Sequence, residues 1–148
     1  LGSKQGSLSS WVEGSMPEAV RREPGLQPSD PTRYKGQLRE IELFQQLIAD
    51  LDDSDLRNLV VDESLRLHKV DSSMAFDADP DLLIGLYSSR LSRRLIRALE
   101  TLDKKELNEL FKPWLHKDQR GSLWERRNRI LKRAKQLIAD YGEERTLY

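Results

Sequence analysis

Cysteine is absent from this 148-residue chain, which excludes a disulfide framework, thiolate catalysis, Cys-ligated zinc and iron–sulfur clusters. Histidine occurs only at His68 and His116, and neither has a second histidine at i+3 or i+4 to build a helical metal site. Both read as solvated or hydrogen-bonded surface residues. Long apolar runs are missing too: no stretch approaches the roughly 18 uninterrupted apolar residues that a membrane span needs, and no signal-peptide pattern is visible. There is no glycine-rich phosphate loop, no nucleophile elbow and no Ser/His/Asp series in a supporting context. These absences set the expectation of a non-enzymatic protein without cofactor or metal that works by binding another macromolecule. The lack of cysteine also fits a reducing, cytoplasmic compartment. The opening Leu1-Gly2-Ser3 reads as a tag remnant or the start of an excised fragment, so that the chain would be the soluble part of a larger protein.

Proline is scarce after residue 33. Four of the six prolines (Pro17, Pro24, Pro28, Pro31) and four glycines precede it, with a serine-rich start. Residues 1–33 therefore read as an extended arm, and residues 34–148 as a single domain. Leu8, Trp11, Val12, Met16 and Val20 give the arm apolar anchors, and Pro17 is suited to open one helical turn at Glu18-Ala19-Val20-Arg21-Arg22. Trp11 is the candidate docking residue, able to pack on its own domain, to exchange between identical chains or to enter a partner's groove.

Leucine far outnumbers valine and isoleucine, which favours helix. Apolar residues at three- and four-residue spacing place a helix over about 32–51 through Tyr34, Leu38, Ile41, Phe44, Leu47, Ile48 and Leu51. A second helix, capped by Asp53 or Ser54, would bury Leu56, Leu59, Val60 and Leu65. Residues 70–79 read as a loop. A third helix would run over about 80–102, entered through Asp79-Pro80, with Leu83, Leu86, Tyr87, Leu91, Leu95, Ile96 and Leu99 inward. A short helix over about 104–111 would end at Pro113, with Trp114 and Leu115 docked into the core. A last helix would start at a Ser122/Glu125 capping box, bury Trp124, Ile130, Leu131, Ala134, Leu137, Ile138 and Tyr141, and close at Gly142.

The expected fold class is all-α, about five helices arranged as a bundle or as two stacked helical hairpins. The hairpins are suggested by an internal similarity. Leu51-Asp52-x-x-Asp55-Leu56-x-x-Leu59 matches Leu102-Asp103-x-x-Glu106-Leu107-x-x-Leu110, each after a helix entered at Asp-Pro with Gly36 or Gly85 five residues beyond the proline. Recurrence of a common helix-junction pattern is the alternative.

Net charge is zero, yet charge is separated along the chain. Residues 37–83 carry twelve acids and four bases; residues 90–135 carry fifteen bases and six acids. The triplet Asp77, Asp79 and Asp81 has the alternation of a calcium loop, but Leu82 and Ser88 stand where such a loop needs Gly and Glu. Helix capping accounts for it. The basic half offers two candidate partner-binding surfaces. Arg90, Arg93, Arg94 and Arg97 form a ridge, and Arg126, Arg127, Arg129, Lys132, Arg133 and Lys135 crowd the last helix. They fit a protein partner, or nucleic acid with Trp124 or Tyr87 stacking on bases, or an internal role in which the basic half neutralises the acidic half. A regulatory protein–protein interaction module is the leading reading, and a nucleic-acid-binding regulator using residues 90–97 and 126–135 is the alternative.

Overall fold

A computed structural model describes residues 13–25, 27–50, 58–72, 74–81 and 88–148. The elements run β1 (Met16–Pro17), α1 (Glu18–Arg22), α2 (Pro31–Ile48), β2 (Leu59–Val61), β3 (Leu67–Lys69), α3 (Arg93–Thr101), α4 (Lys104–Phe111), α5 (Lys117–Tyr141) and α6 (Glu143–Thr146).

α2 begins where Asp30 lies extended and its carboxylate accepts the Thr32 and Arg33 amides at 3.0 and 2.9 Å, with Pro31 in the first turn. It serves two cores. Leu43 joins Leu91, Ile96, Leu99, Ile130, Ala134, Leu137 and Leu147 in the main one, formed by α2, α3, α5 and the C-terminal residues. Tyr34 instead packs with Val61 and Leu67 of the sheet, flanked by Leu38 and Ile41. Ser92 caps α3 and Asp103 caps α4, the latter through the Lys105 and Glu106 amides at 2.8 and 3.0 Å. After α5 the chain turns at Gly142, whose φ of +84° a side chain would resist. It then returns to the body, with fully buried Thr146 bonded to the Leu137 carbonyl and Leu147 in a parallel bridge to Leu91.

The structure corrects the all-α expectation. Residues 59–69 form a hairpin, and β1 adds to it in an antiparallel sheet ordered β1-β2-β3. Met16 pairs with Val61, and Val61 with Leu67. Val60 and Val61 are β-branched and favour the pleated surface. The Asp62 carboxylate organises the turn by accepting the Ser64 amide and hydroxyl and the Arg66 amide, while Leu65 takes a φ of +59°. Helical spacing of Leu56, Leu59, Val60 and Leu65 was thus a misleading signal. The two-hairpin repeat fails with it, because Leu59 lies in a strand whereas Leu110 lies in a helix. Residues 51–57, including Asp53 and Ser54, lie outside the described residues.

Other boundaries shift. Of the long helix expected over 80–102, the described residues show only Arg93–Thr101 as helix, since 80–81 and 88–92 are not helical; Leu83, Leu86, Tyr87 and Gly85 lie outside the described residues. α5 begins five residues before Ser122, with His116 at its cap: the imidazole accepts the Asp118 amide, and Gln119 takes the His116 amide at 2.8 Å. Phe44 and Tyr141, placed in the apolar stripes by sequence, are exposed, whereas Leu43, which the stripe omitted, is buried. The helix at Glu18–Arg22 and the helix at 104–111 stand where the sequence places them. No helix among the described residues is long and apolar enough to cross a membrane.

Candidate interaction surface

The basic residues singled out by sequence divide into engaged and available ones. Arg126 is fully buried. It lies on the same face of α5 as Leu123, Ile130, Ala134 and Leu137, and its guanidinium donates to the carbonyls of Leu47 (2.9 Å), Asp77 (3.0 Å) and Asp79. Burial lowers its pKa from the ordinary arginine value, against the attraction of Asp77 and Asp79. It is a structural pin, and its place in the sequence showed this: positions 123, 126, 130, 134 and 137 form one helical stripe, with Arg126 inside it.

Neighbouring side chains of α5 extend the same contact. Gln119 donates to the Phe76 carbonyl at 2.9 Å, Ser122 to the Ala78 carbonyl, and Arg129 pairs with Asp81. The loop 76–81 is therefore strapped to α5 by its main chain. Its own turns are closed by Asp77 accepting the Asp79 amide and Asp79 accepting the Asp81 amide, at 2.7 and 2.8 Å. The aspartates thus organise a loop rather than cap a helix at the described residues.

Arg127 donates to the Leu99 and Glu100 carbonyls at 2.8 and 3.0 Å, capping α3, and its guanidinium lies 4.5 Å from the Trp124 ring centre. Lys104 approaches the same ring at 5.9 Å. Arg93 pairs with Glu143, and Arg94 with Glu40 at 3.0 Å. Arg90 lies over the Tyr148 ring, as does Arg39. Arg97 and Arg133 are exposed, and among the described residues neither meets a carboxylate within ion-pair distance. Trp11 and Tyr87 lie outside the described residues. The two cross-half pairs, Arg94–Glu40 and Arg129–Asp81, show that part of the sequence's charge separation is closed by folding.

Along the outer side of α5 runs a shallow groove of about 470 Å³, lined among others by Arg127, Asn128, Leu131, Lys132, Lys135 and Ala139. Leu131 also packs against the main core.

The most exposed large apolar residue among the described ones was expected inside. Trp114 is 81% accessible and Leu110 is 65% accessible. They sit four residues apart on a continuing helical turn, because Leu115 donates its amide to the Phe111 carbonyl at 2.8 Å; i and i+4 side chains share a face. The corner beneath them is firmly held. Leu107 is buried, Phe111 packs on Phe76 with ring centres 6.1 Å apart, and Arg120 ties Asn108 to the Leu115 carbonyl. Comparison with protein-family models, curated proteins and solved structures finds no match.

Proposed function

We propose that this chain is a non-enzymatic protein–protein interaction module, and that the corner carrying Leu110 and Trp114 is its principal contact element. The supporting observation is the exposure of Trp114 on a rigid corner. An indole in water forfeits a large hydrophobic contribution, and exposed aromatics beside a second apolar side chain are typical anchors of binding sites. A rigid support lowers the ordering cost of association.

The nucleic-acid alternative draws less support. Of the arginines it relies on, Arg93, Arg94, Arg126, Arg127 and Arg129 are engaged within the chain.

A photo-crosslinking amino acid in place of Trp114 tests the proposal in the native cell. A discrete adduct is expected from this position and not from a control at Lys35, which is exposed on α2. An adduct of twice the 17.2 kDa chain mass would identify a second copy as the partner. Equal labelling from both positions would overturn the proposal. Trp114→Ala should leave stability within about 0.5 kcal/mol, since the ring contributes little to the core.

A further inference from the structure

We infer that the groove along α5 is a second binding site, built for an acidic amphipathic segment of a partner protein. The inference shares the interaction-module reading but rests on a different surface from Trp114. Three observations carry it. The groove combines apolar Leu131 and Ala139 with the cations Arg127, Lys132 and Lys135. Residues 126–139 contain no carboxylate, and the next one along the helix, Asp140, is bonded to Gln136 at the end of the groove rather than to a lysine. Lys132 and Lys135 are exposed, and among the described residues neither has a carboxylate within ion-pair distance, unlike Arg93, Arg94 and Arg129.

The spacing selects the occupant. Residues 127, 131 and 135 repeat every four residues along α5, so apolar and cationic groups alternate over about two helical turns. A partner helix with leucines at three- and four-residue spacing and carboxylates beside them satisfies both sets of groups. An oligonucleotide fits less well. Arg127 is held by two carbonyls and stacked on Trp124, leaving two ammonium groups at the groove. Affinity for nucleic acid grows with the number of phosphates neutralised, and two ammonium groups neutralise few.

The test is selection of a displayed library of random 16-residue peptides on the full chain. Enriched peptides are then titrated against wild type, the double variant Lys132→Glu with Lys135→Glu, and Trp114→Ala, with circular dichroism confirming each fold. The expected result is enrichment of peptides that interleave Asp or Glu with Leu, Met or Phe, and at least about tenfold weaker binding to the double variant. Trp114→Ala should bind those peptides as wild type does. Three results would overturn the inference: no enrichment, equal affinity for the double variant, or tighter binding of a 20-nucleotide single strand than of any enriched peptide. Peptides lost with Trp114→Ala alone would remove the groove while leaving the interaction-module reading in place.

Discussion

Two parts of the molecule are held together by different physics. Among the described residues, the helical body of α2, α3, α5 and the C-terminal residues closes around a cluster of eight buried apolar residues, with Arg126 buried beside it against main-chain carbonyls. The smaller part, in which α1 and the three strands lie against the first half of α2, has Tyr34, Val61 and Leu67 in its apolar cluster among the described residues. It relies instead on buried charge. Glu18 is fully buried and accepts hydrogen bonds from Arg21 at 2.6 and 2.7 Å, from Arg22 at 2.8 Å and from the Tyr34 hydroxyl. Lys69 meets buried Asp50 at 2.9 Å and also donates to the Val70 and Asp71 carbonyls. Apolar burial is non-directional and tolerates repacking. A buried ion network specifies geometry but fails sharply when one member is removed.

The largest expected effect breaks the smaller part alone. Glu18→Ala leaves Arg21 and Arg22 without their shared carboxylate, and loss of one partner from a buried pair costs about 3–5 kcal/mol. Amide exchange should accelerate at Val61 and Leu67, with protection at Ile130 retained. Ile130→Ala, at a fully buried site in the body, should cost about 2–5 kcal/mol and lower protection in both parts together. If Glu18→Ala released both parts equally, the distinction between them would collapse.

The same contrast explains what was readable in the sequence. α2, α4 and the inward residues Ile96, Leu99, Ile130, Ala134 and Leu137 follow from periodicity and from the caps at Asp30 and Asp103, because apolar burial leaves a periodic trace. The sheet left a fainter one: two β-branched valines and an Asp-x-Ser turn, overshadowed by leucines at helical spacing. Glu18 in the arm gave no sign of burial, since its pairs with Arg21 and Arg22 have the ordinary spacing of an exposed helix and the Tyr34 hydroxyl that joins them is sixteen residues away. Arg126 was legible only by its position in an apolar stripe. Trp114 shows the opposite case, where hydrophobicity alone suggested burial and the α4–α5 corner turned the ring outward. The other basic residues singled out by sequence were sorted only by folding, which engages Arg127 with the Leu99 and Glu100 carbonyls.

Acid should sharpen the comparison with a smaller effect. Burial pushes the Glu18 carboxyl upward, but bonds from Arg21, Tyr34 and Arg22 outweigh it and hold it below its ordinary 4.5. Asp62 in the β2–β3 turn is also depressed, chiefly by His68 at 2.8 Å and by Ser64. A carboxylate with a lowered folded pKa stabilises fully above its unfolded value, and that contribution disappears as pH falls through the folded one. Tyr34 has the reverse sign: burial and then Glu18 raise its pKa above 10, so the unfolded chain ionises first and stability falls at strongly alkaline pH. The sheet should therefore lose exchange protection below about pH 4.5 and again above about pH 10, while the Ile130 region holds longer. Simultaneous loss in both parts would show that the polar networks do not set the local stability.

The smallest effect concerns the charge separation itself. Arg94, 74% exposed, joins Glu40 across the acidic and basic halves, and Ser92 donates to the same carboxylate at 2.6 Å. Exposed pairs in water contribute about 0.2–1 kcal/mol, and screening at about 1 M salt removes most of that. Arg94→Ala should thus lower stability by less than about 1 kcal/mol in urea titrations, with the difference from wild type shrinking at high salt. A loss above about 2 kcal/mol would mean that attraction between the halves organises the body, contrary to the apolar account. The small value instead makes the separation chiefly a property of the surface. Folding closes Glu40 and Asp81 onto Arg94 and Arg129 but leaves Lys132 and Lys135 along the groove without an ion-pair partner among the described residues. On the proposed reading, the charge that contributes least to holding the chain together is the charge best placed to choose a partner.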